Sequence, residues 1–140
     1  MRWRTEFRTW GKALTGISGV PVTPYKGDGS IGIAKLKTLI RRVAEARMHN
    51  LMAAGNTGEF FTLTMDEVRE VHAATVEAAA GKARVSAAVG RSLTEAKALA
   101  KAAIAAGADA IMGHHPMARS PARPTRPATS SNWRMPPRSR

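Results

Sequence analysis

A chain of 140 residues with 44% apolar content has room for one domain with a real core, and its lack of cysteine excludes disulfides and thiolate metal sites. No apolar run approaches the ~20 residues of a membrane span, and no continuous apolar stretch follows the basic start "MRWRTEFRTWGKAL", so no membrane partner and no secretory signal are expected. A reducing, cytoplasmic setting is then the default expectation.

The net charge of +12 invites a nucleic-acid reading, but its distribution opposes one. Six arginines and no acid lie between Arg119 and the end, and the other +6 is spread over the first 118 residues among all ten acids. The charge therefore gathers in end segments rather than on one folded face, and nucleic acid is not expected as a partner.

Residues 1–15 form a short basic segment, with Arg2, Arg4 and Arg8 against Glu6. "GISGVPVTP" (16–24) is a β-prone run stopped by Pro24. "IAKLKTLIRRVAEARM" (33–48) places Ile33, Leu36, Ile40, Val43 and Ala44 on one helical stripe. "NLMAAG" (50–55) is short and apolar again. "TMDEVREVHAATVEAAAGK" (64–82) opens with Thr64-x-x-Glu67, the spacing of a capping box, lines Val68, Val71, Thr75 and Ala79 on one face, and meets Gly81 at its expected end. "RVSAAVG" (84–90) reads as a strand. "SLTEAKALAKAAIAAG" (92–107) has a second capping box, Ser92-x-x-Glu95, and a face running through Leu93, Ala96, Ala100 and Ala103. "ADAIMGHHP" (108–116) is the fourth strand candidate.

The order is β-α-β-α-β-α-β, with short strands that lack polar alternation, as parallel strands buried on both faces do. The fold class is parallel α/β; periodicity alone leaves open whether the sheet is open or part of a closed barrel. From Ala118 the pattern breaks into "ARSPARPTRPATSSNWRMPPRSR", which holds five of the chain's eight prolines. Such a segment buries too little to offset its ordering entropy, so 118–140 is expected to be disordered. Simultaneous loss of periodicity and acids is also what a shifted frame in GC-rich coding DNA produces, and that origin is the favoured expectation for the tail.

Parallel α/β folds bind ligands at the carboxyl ends of their strands. Gly55–Glu59, Gly90–Arg91 and His114–His115 all fall there. In "AAGNTGEFF" (53–61) the Gly-Asn-Thr-Gly-Glu turn offers N–H groups and a hydroxyl suited to an anion. His114 and His115 point to opposite faces of a strand, which argues against a metal pair. His49 and His72 read as helix-edge residues.

"GVPVTPYKGDGS", a helix, then "LMAAGNTGEFFTLTMDEVREV" and the "GADAI" entry to the fourth strand together resemble the dihydrodipicolinate synthase and N-acetylneuraminate lyase family, over roughly residues 16–117. The resemblance implies the N-terminal half of a (β/α)8 TIM barrel, about four strands and three helices. It also implies Schiff-base lyase or aldolase chemistry on pyruvate or a related 2-oxo acid, with no cofactor. In such enzymes a lysine on the sixth strand forms the imine that serves as an electron sink. By the resemblance Thr57 matches the threonine that grips the substrate carboxylate, with the Gly58 backbone beside it. Asn56 stands where many members have a proton-relaying Thr or Ser; an amide cannot pass a proton as a hydroxyl does. That points away from dihydrodipicolinate synthase proper and leaves dehydratase and aldolase branches open. Pro116 is followed by Met117 and Ala118 where many members have two tyrosines.

A barrel of this kind runs to about 250 residues, and the match stops near Met117. Lys82 lies at a helix exit, Lys97 and Lys101 on a helix flank, and Tyr25, the only tyrosine, ends the first strand. No catalytic residue is therefore assigned, and a truncated member, inactive alone, is expected. Its open first and fourth strands would invite self-association. The competing class is a small α/β anion- or nucleic-acid-binding module with a basic tail.

Overall fold

A computed structural model describes residues 15–114. The expected basic segment 1–15, apart from Thr15, lies outside those residues, as do His115, Pro116, Met117 and the expected tail 118–140. The elements are β1 (Ser18–Gly19), α1 (Ile33–Glu45), β2 (Asn50–Ala53), α2 (Met65–Ala79), β3 (Arg84–Val89), α3 (Leu93–Ala105) and β4 (Ala110–Gly113). All strand pairs are parallel and the order is β1-β2-β3-β4. Each strand thus lies beside its predecessor. With right-handed crossovers, that order puts all three helices on one face, the winding of a barrel rather than of a doubly wound sheet.

Burial follows from this arrangement. β3, flanked on both sides, is buried at every position after Arg84, while β4 at the edge alternates between half-buried and exposed. Leu51, Val85 and Ala87 lie on one face by register and are fully covered, whereas Ile111 in the same row at the edge is 52% exposed. β1 is shorter than the run 16–24 implied. Pro21 and Pro24 have no N–H to give a ladder, so 20–24 runs on without strand pairing.

Leu36, Ile40 and Ala44 of α1 are buried, with Ile33 and Val43 packed beside them. Val68, Val71, Thr75 and Ala79 of α2 are all buried as expected. Two expectations fail. His72 is no helix-edge residue; it is 1% exposed, because α2 sits between α1 and α3 over the sheet and is covered on a wide arc. In α3, Leu93 is 72% exposed, and the buried positions are Leu99 and Ala103. Leu93 opens the first turn directly after the Ser92 cap, and burial begins only at Leu99.

Both capping boxes are present. The Glu67 N–H donates to Thr64 Oγ1 (3.3 Å) while the Thr64 N–H donates to Glu67 Oε2 (2.7 Å). The Ser92–Glu95 pair repeats the exchange at 3.0 and 3.2 Å. Replacing Thr64 or Ser92 by Ala should each cost about 1 kcal/mol, read as a lowered urea midpoint with an unchanged slope. The "GAD" before β4 has its own role. Gly107 takes φ 91° at the end of α3, and Asp109 Oδ2 accepts from the Val85 N–H (2.8 Å) while the Asp109 N–H donates to the Val85 carbonyl (2.9 Å). That double bond sets the β3–β4 register.

Candidate functional site

The loop after β2 turns at the carboxyl end of the sheet. Residues Asn56–Gly58 form a single 3₁₀ turn, closed when the Glu59 N–H donates to the Asn56 carbonyl (3.0 Å). Its glycines sit where the segment after β1 presses closest. A Cβ on Gly55 would stand 2.6 Å from Val20 Cγ1, and one on Gly58 3.1 Å from the Pro21 carbonyl oxygen. The turn is thereby laid against the first strand's extension. Thr23, buried, donates its hydroxyl to the Gly58 carbonyl at 2.7 Å. Asn56 and Thr57 are exposed, and neither side chain has a hydrogen-bond partner among the described residues. Their polar groups face solvent at the strand ends.

Glu59 leaves the turn in the left-handed region at φ 62°. Its carboxylate accepts from Tyr25 OH at 3.1 Å and from Thr62 Oγ1 at 3.4 Å, and Thr62 Oγ1 also donates to the Glu59 carbonyl at 2.8 Å. Partial burial pushes the Tyr25 phenol above its ordinary 10, the Thr62 hydroxyl pulls against this, and the Glu59 carboxylate adds to the rise.

Phe60 is fully buried behind the turn. The Arg91 guanidinium donates to the Phe60 carbonyl (3.0 Å) and to the Leu63 carbonyl, and lies 5.5 Å from the centre of the Phe60 ring. His114 stacks on the same ring with centroids 4.6 Å apart. Burial lowers the His114 pKa, opposed by a hydrogen bond to the Ala54 main chain. The carboxyl ends of β2, β3 and β4 thus meet around one aromatic ring.

Of the three strand ends expected to carry the site, all gather at one end of the sheet; His115 lies outside the described residues. The residues missed by sequence reasoning are Thr23, Phe60, and the roles of Tyr25 and Arg91. Thr23 and Tyr25 are spaced by two on an extended segment, so both reach the same side. Lys82 lies at the opposite end, paired with Glu45 at 3.3 Å, and Lys97 and Lys101 are exposed on α3. None of the four strands carries a lysine.

A cavity of about 930 Å³ opens at the amino ends of the strands, lined in part by Glu45, Arg47, Lys82, Arg84 and Asp109. Of its cations, Arg47 and Lys82 follow the C-terminal ends of α1 and α2, Arg84 opens β3, and Lys82 pairs with Glu45. Parallel α/β folds bind ligands at the opposite, carboxyl ends of their strands. Among the described residues no group of three or more His, Cys, Asp or Glu could hold a metal ion, and no helix is long and apolar enough to cross a membrane.

Residues 13–123 match the Dihydrodipicolinate synthetase family. The chain is 39% identical over 98 residues to a probable 5-dehydro-4-deoxyglucarate dehydratase of Methylobacterium radiotolerans, covering 70% of this chain and 32% of that protein. It is 37% identical over 98 residues to a 4-hydroxy-tetrahydrodipicolinate synthase of Salinibacter ruber, covering 69% and 32%. Among solved structures, dihydrodipicolinate synthase from Bacillus clausii superposes with a TM-score of 0.75 at 41% identity, over 78% of this chain and 37% of that one. N-acetylneuraminate lyase from Mycoplasma synoviae gives 0.72 at 30%, over 76% and 38%. The chain spans about a third of the length of the curated relatives it matches. Strand order, the Gly-Asn-Thr-Gly-Glu turn and the matched residues coincide in one stretch, and the chain belongs to the dihydrodipicolinate synthetase family.

Proposed function

We propose that residues 16–117 are the substrate-carboxylate-binding part of a Schiff-base lyase or aldolase barrel acting on a 2-oxo acid. The observation that carries this reading is the Asn56–Gly58 turn, held at the carboxyl end of β2 with the Thr57 hydroxyl exposed and uncommitted. Thr57 donates its hydroxyl to the carboxylate, the Gly58 main chain shapes the cradle, and Asn56 offers a carboxamide to the neighbouring oxygen. Asn56 favours a hydroxylated sugar acid over the synthase reaction, because an amide can hydrogen-bond to a hydroxyl without relaying a proton.

The amine that condenses with the keto group comes from a strand other than these four, since none of them carries a lysine. Alone, the 140-residue chain binds but does not form the imine. The edges of β1 and β4 remain free to pair among the described residues, which favours self-association.

The test is a pyruvate titration followed at the Thr57 and Gly58 amide resonances, with borohydride trapping in parallel. The expected result is a saturable shift, weakened about ten-fold by Thr57→Val through loss of one hydrogen bond to a charged group, and no trapped adduct. A shift unaffected by Thr57→Val sinks the carboxylate assignment, and a lysine adduct on this chain sinks the claim that the amine lies elsewhere.

A further inference from the structure

We infer that Tyr25 is a positioning residue for the substrate-carboxylate turn, its phenol fixing the Glu59 corner that aims Thr57; this rests on the carboxylate reading of that turn. Thr23 and Tyr25, two apart on extended backbone, reach the same side. Thr23 takes the Gly58 carbonyl and Tyr25 takes the Glu59 carboxylate, so successive residues of the turn are held by alternate residues of one segment.

The mount is firm. Tyr25 bridges to Ile31, the Lys26 N–H donates to the Ser30 carbonyl (2.8 Å), the Gly32 N–H donates to the Pro24 carbonyl (2.7 Å), and Ile31 is buried. The held object is the part that needs holding. Glu59 is a non-glycine residue at φ 62°, a conformation that side-chain-bearing residues rarely adopt. Thr62 grips it from the C-terminal side through both its carbonyl and its carboxylate. Among the described residues Tyr25 supplies the only grip on that carboxylate from outside the turn's own segment. Thr57 makes no side-chain hydrogen bond of its own, so its direction is set by Gly58 and Glu59. Loss of the phenol hydroxyl lets the corner relax toward ordinary backbone and turns Thr57 away.

The experiment compares the parent chain with Tyr25→Phe, Glu59→Gln, Glu59→Ala and the double variant Tyr25→Phe/Glu59→Ala. Amide exchange is read at Glu59 and Phe60, whose N–H groups donate to the Asn56 and Gly55 carbonyls. Pyruvate affinity is read at Thr57. Tyr25→Phe should speed exchange at Glu59 and Phe60 about ten-fold, leave β2 and β3 unchanged, and weaken pyruvate about three- to ten-fold. Glu59→Gln keeps an acceptor and should behave as the parent. The double variant should be no worse than Glu59→Ala alone, since one interaction is removed twice. Unchanged exchange and affinity in Tyr25→Phe, or additive losses in the double variant, overturn the assignment. If the parent itself ignores pyruvate, the carboxylate reading of the turn fails and Thr57 has no ligand to be aimed at, which overturns the positioning role too. Faster exchange in Tyr25→Phe alone would then mark a structural bond only.

Discussion

Acidification from pH 6.5 to 4 is expected to remove about 3 kcal/mol of stability through His72 alone, at about 1.4 kcal/mol per pH unit. The ring is 1% exposed within α2, and burial lowers its pKa from 6.5 to about 4. The Ala88 main chain opposes the shift, yet neither ring nitrogen makes a hydrogen bond of ordinary geometry. Above pH 6.5 the imidazole is neutral in both folded and unfolded chains and pH has no leverage through it. Below 6.5 the unfolded chain takes a proton that the fold refuses, so stability falls until pH reaches the folded value near 4. His72→Leu fills similar volume without titrating, and removes two buried polar atoms that lack ordinary partners. Urea midpoints for both proteins between pH 4.5 and 7.5 should converge or favour the variant at neutral pH, then separate steadily as pH falls. Exposed carboxylates titrate in both proteins and cancel in the difference. Parallel curves would show that His72 finds a partner on protonation.

The same residue marks where sequence reading ran out. Helix α2 was legible down to its cap and its Val68, Val71, Thr75, Ala79 stripe, because a capping box and a 3.6-residue period are local signals. The width of the buried arc is not local. It depends on α1 and α3 flanking α2, and a histidine one position off the stripe then falls inside. Leu93 erred in the opposite direction: it fits the period of α3 but stands in the first turn, ahead of the buried Leu99 and Ala103. Parallel α/β class followed from the alternation of elements, whereas barrel-type winding required the strand order itself.

The site divides in the same way. Gly-Asn-Thr-Gly-Glu was readable as a turn with anion donors, since glycine spacing and a threonine are sequence facts. What holds it was not readable, because Thr23, Tyr25 and Arg91 act across separations of 28 to 35 residues. Those contacts exist only once β1, β2 and β3 stand side by side. A loop offering an exposed hydroxyl must borrow its rigidity from neighbouring strands. Here the lending residues come from the segments that follow β1 and β3, the strands on either side of β2.

Phe60→Ala is expected to be the most damaging single substitution at this end of the sheet, costing about 3–5 kcal/mol. Among the described residues Phe60 is the largest of the fully buried side chains, and it follows the Asn56–Gly58 turn and its Glu59 corner. Its ring stacks on His114, meets Phe61 edge-on at 5.2 Å, and lies under the Arg91 guanidinium. The fit is close enough to dictate a neighbour. A Cβ on Gly90 would come within 3.2 Å of Phe60 Cε1 and 2.9 Å of His114 Cβ, so the end of β3 has glycine where three elements converge. Truncation to alanine leaves a void bounded by β3, β4 and the turn, and none of these can collapse without breaking strand register or the Arg91 bonds. That loss is a large fraction of the ~5–15 kcal/mol available to an ordinary domain. Phe60→Leu retains most of the apolar burial and loses mainly the aromatic pairing, worth about 0.5–1.5 kcal/mol. Urea unfolding should order the proteins parent, Phe60→Leu, Phe60→Ala. If Phe60→Ala unfolds outright, Phe60→Leu still decides the matter. A Phe60→Leu midpoint equal to the parent's, with unchanged exchange at Glu59, would mean that the ring fills space without organising the strand ends.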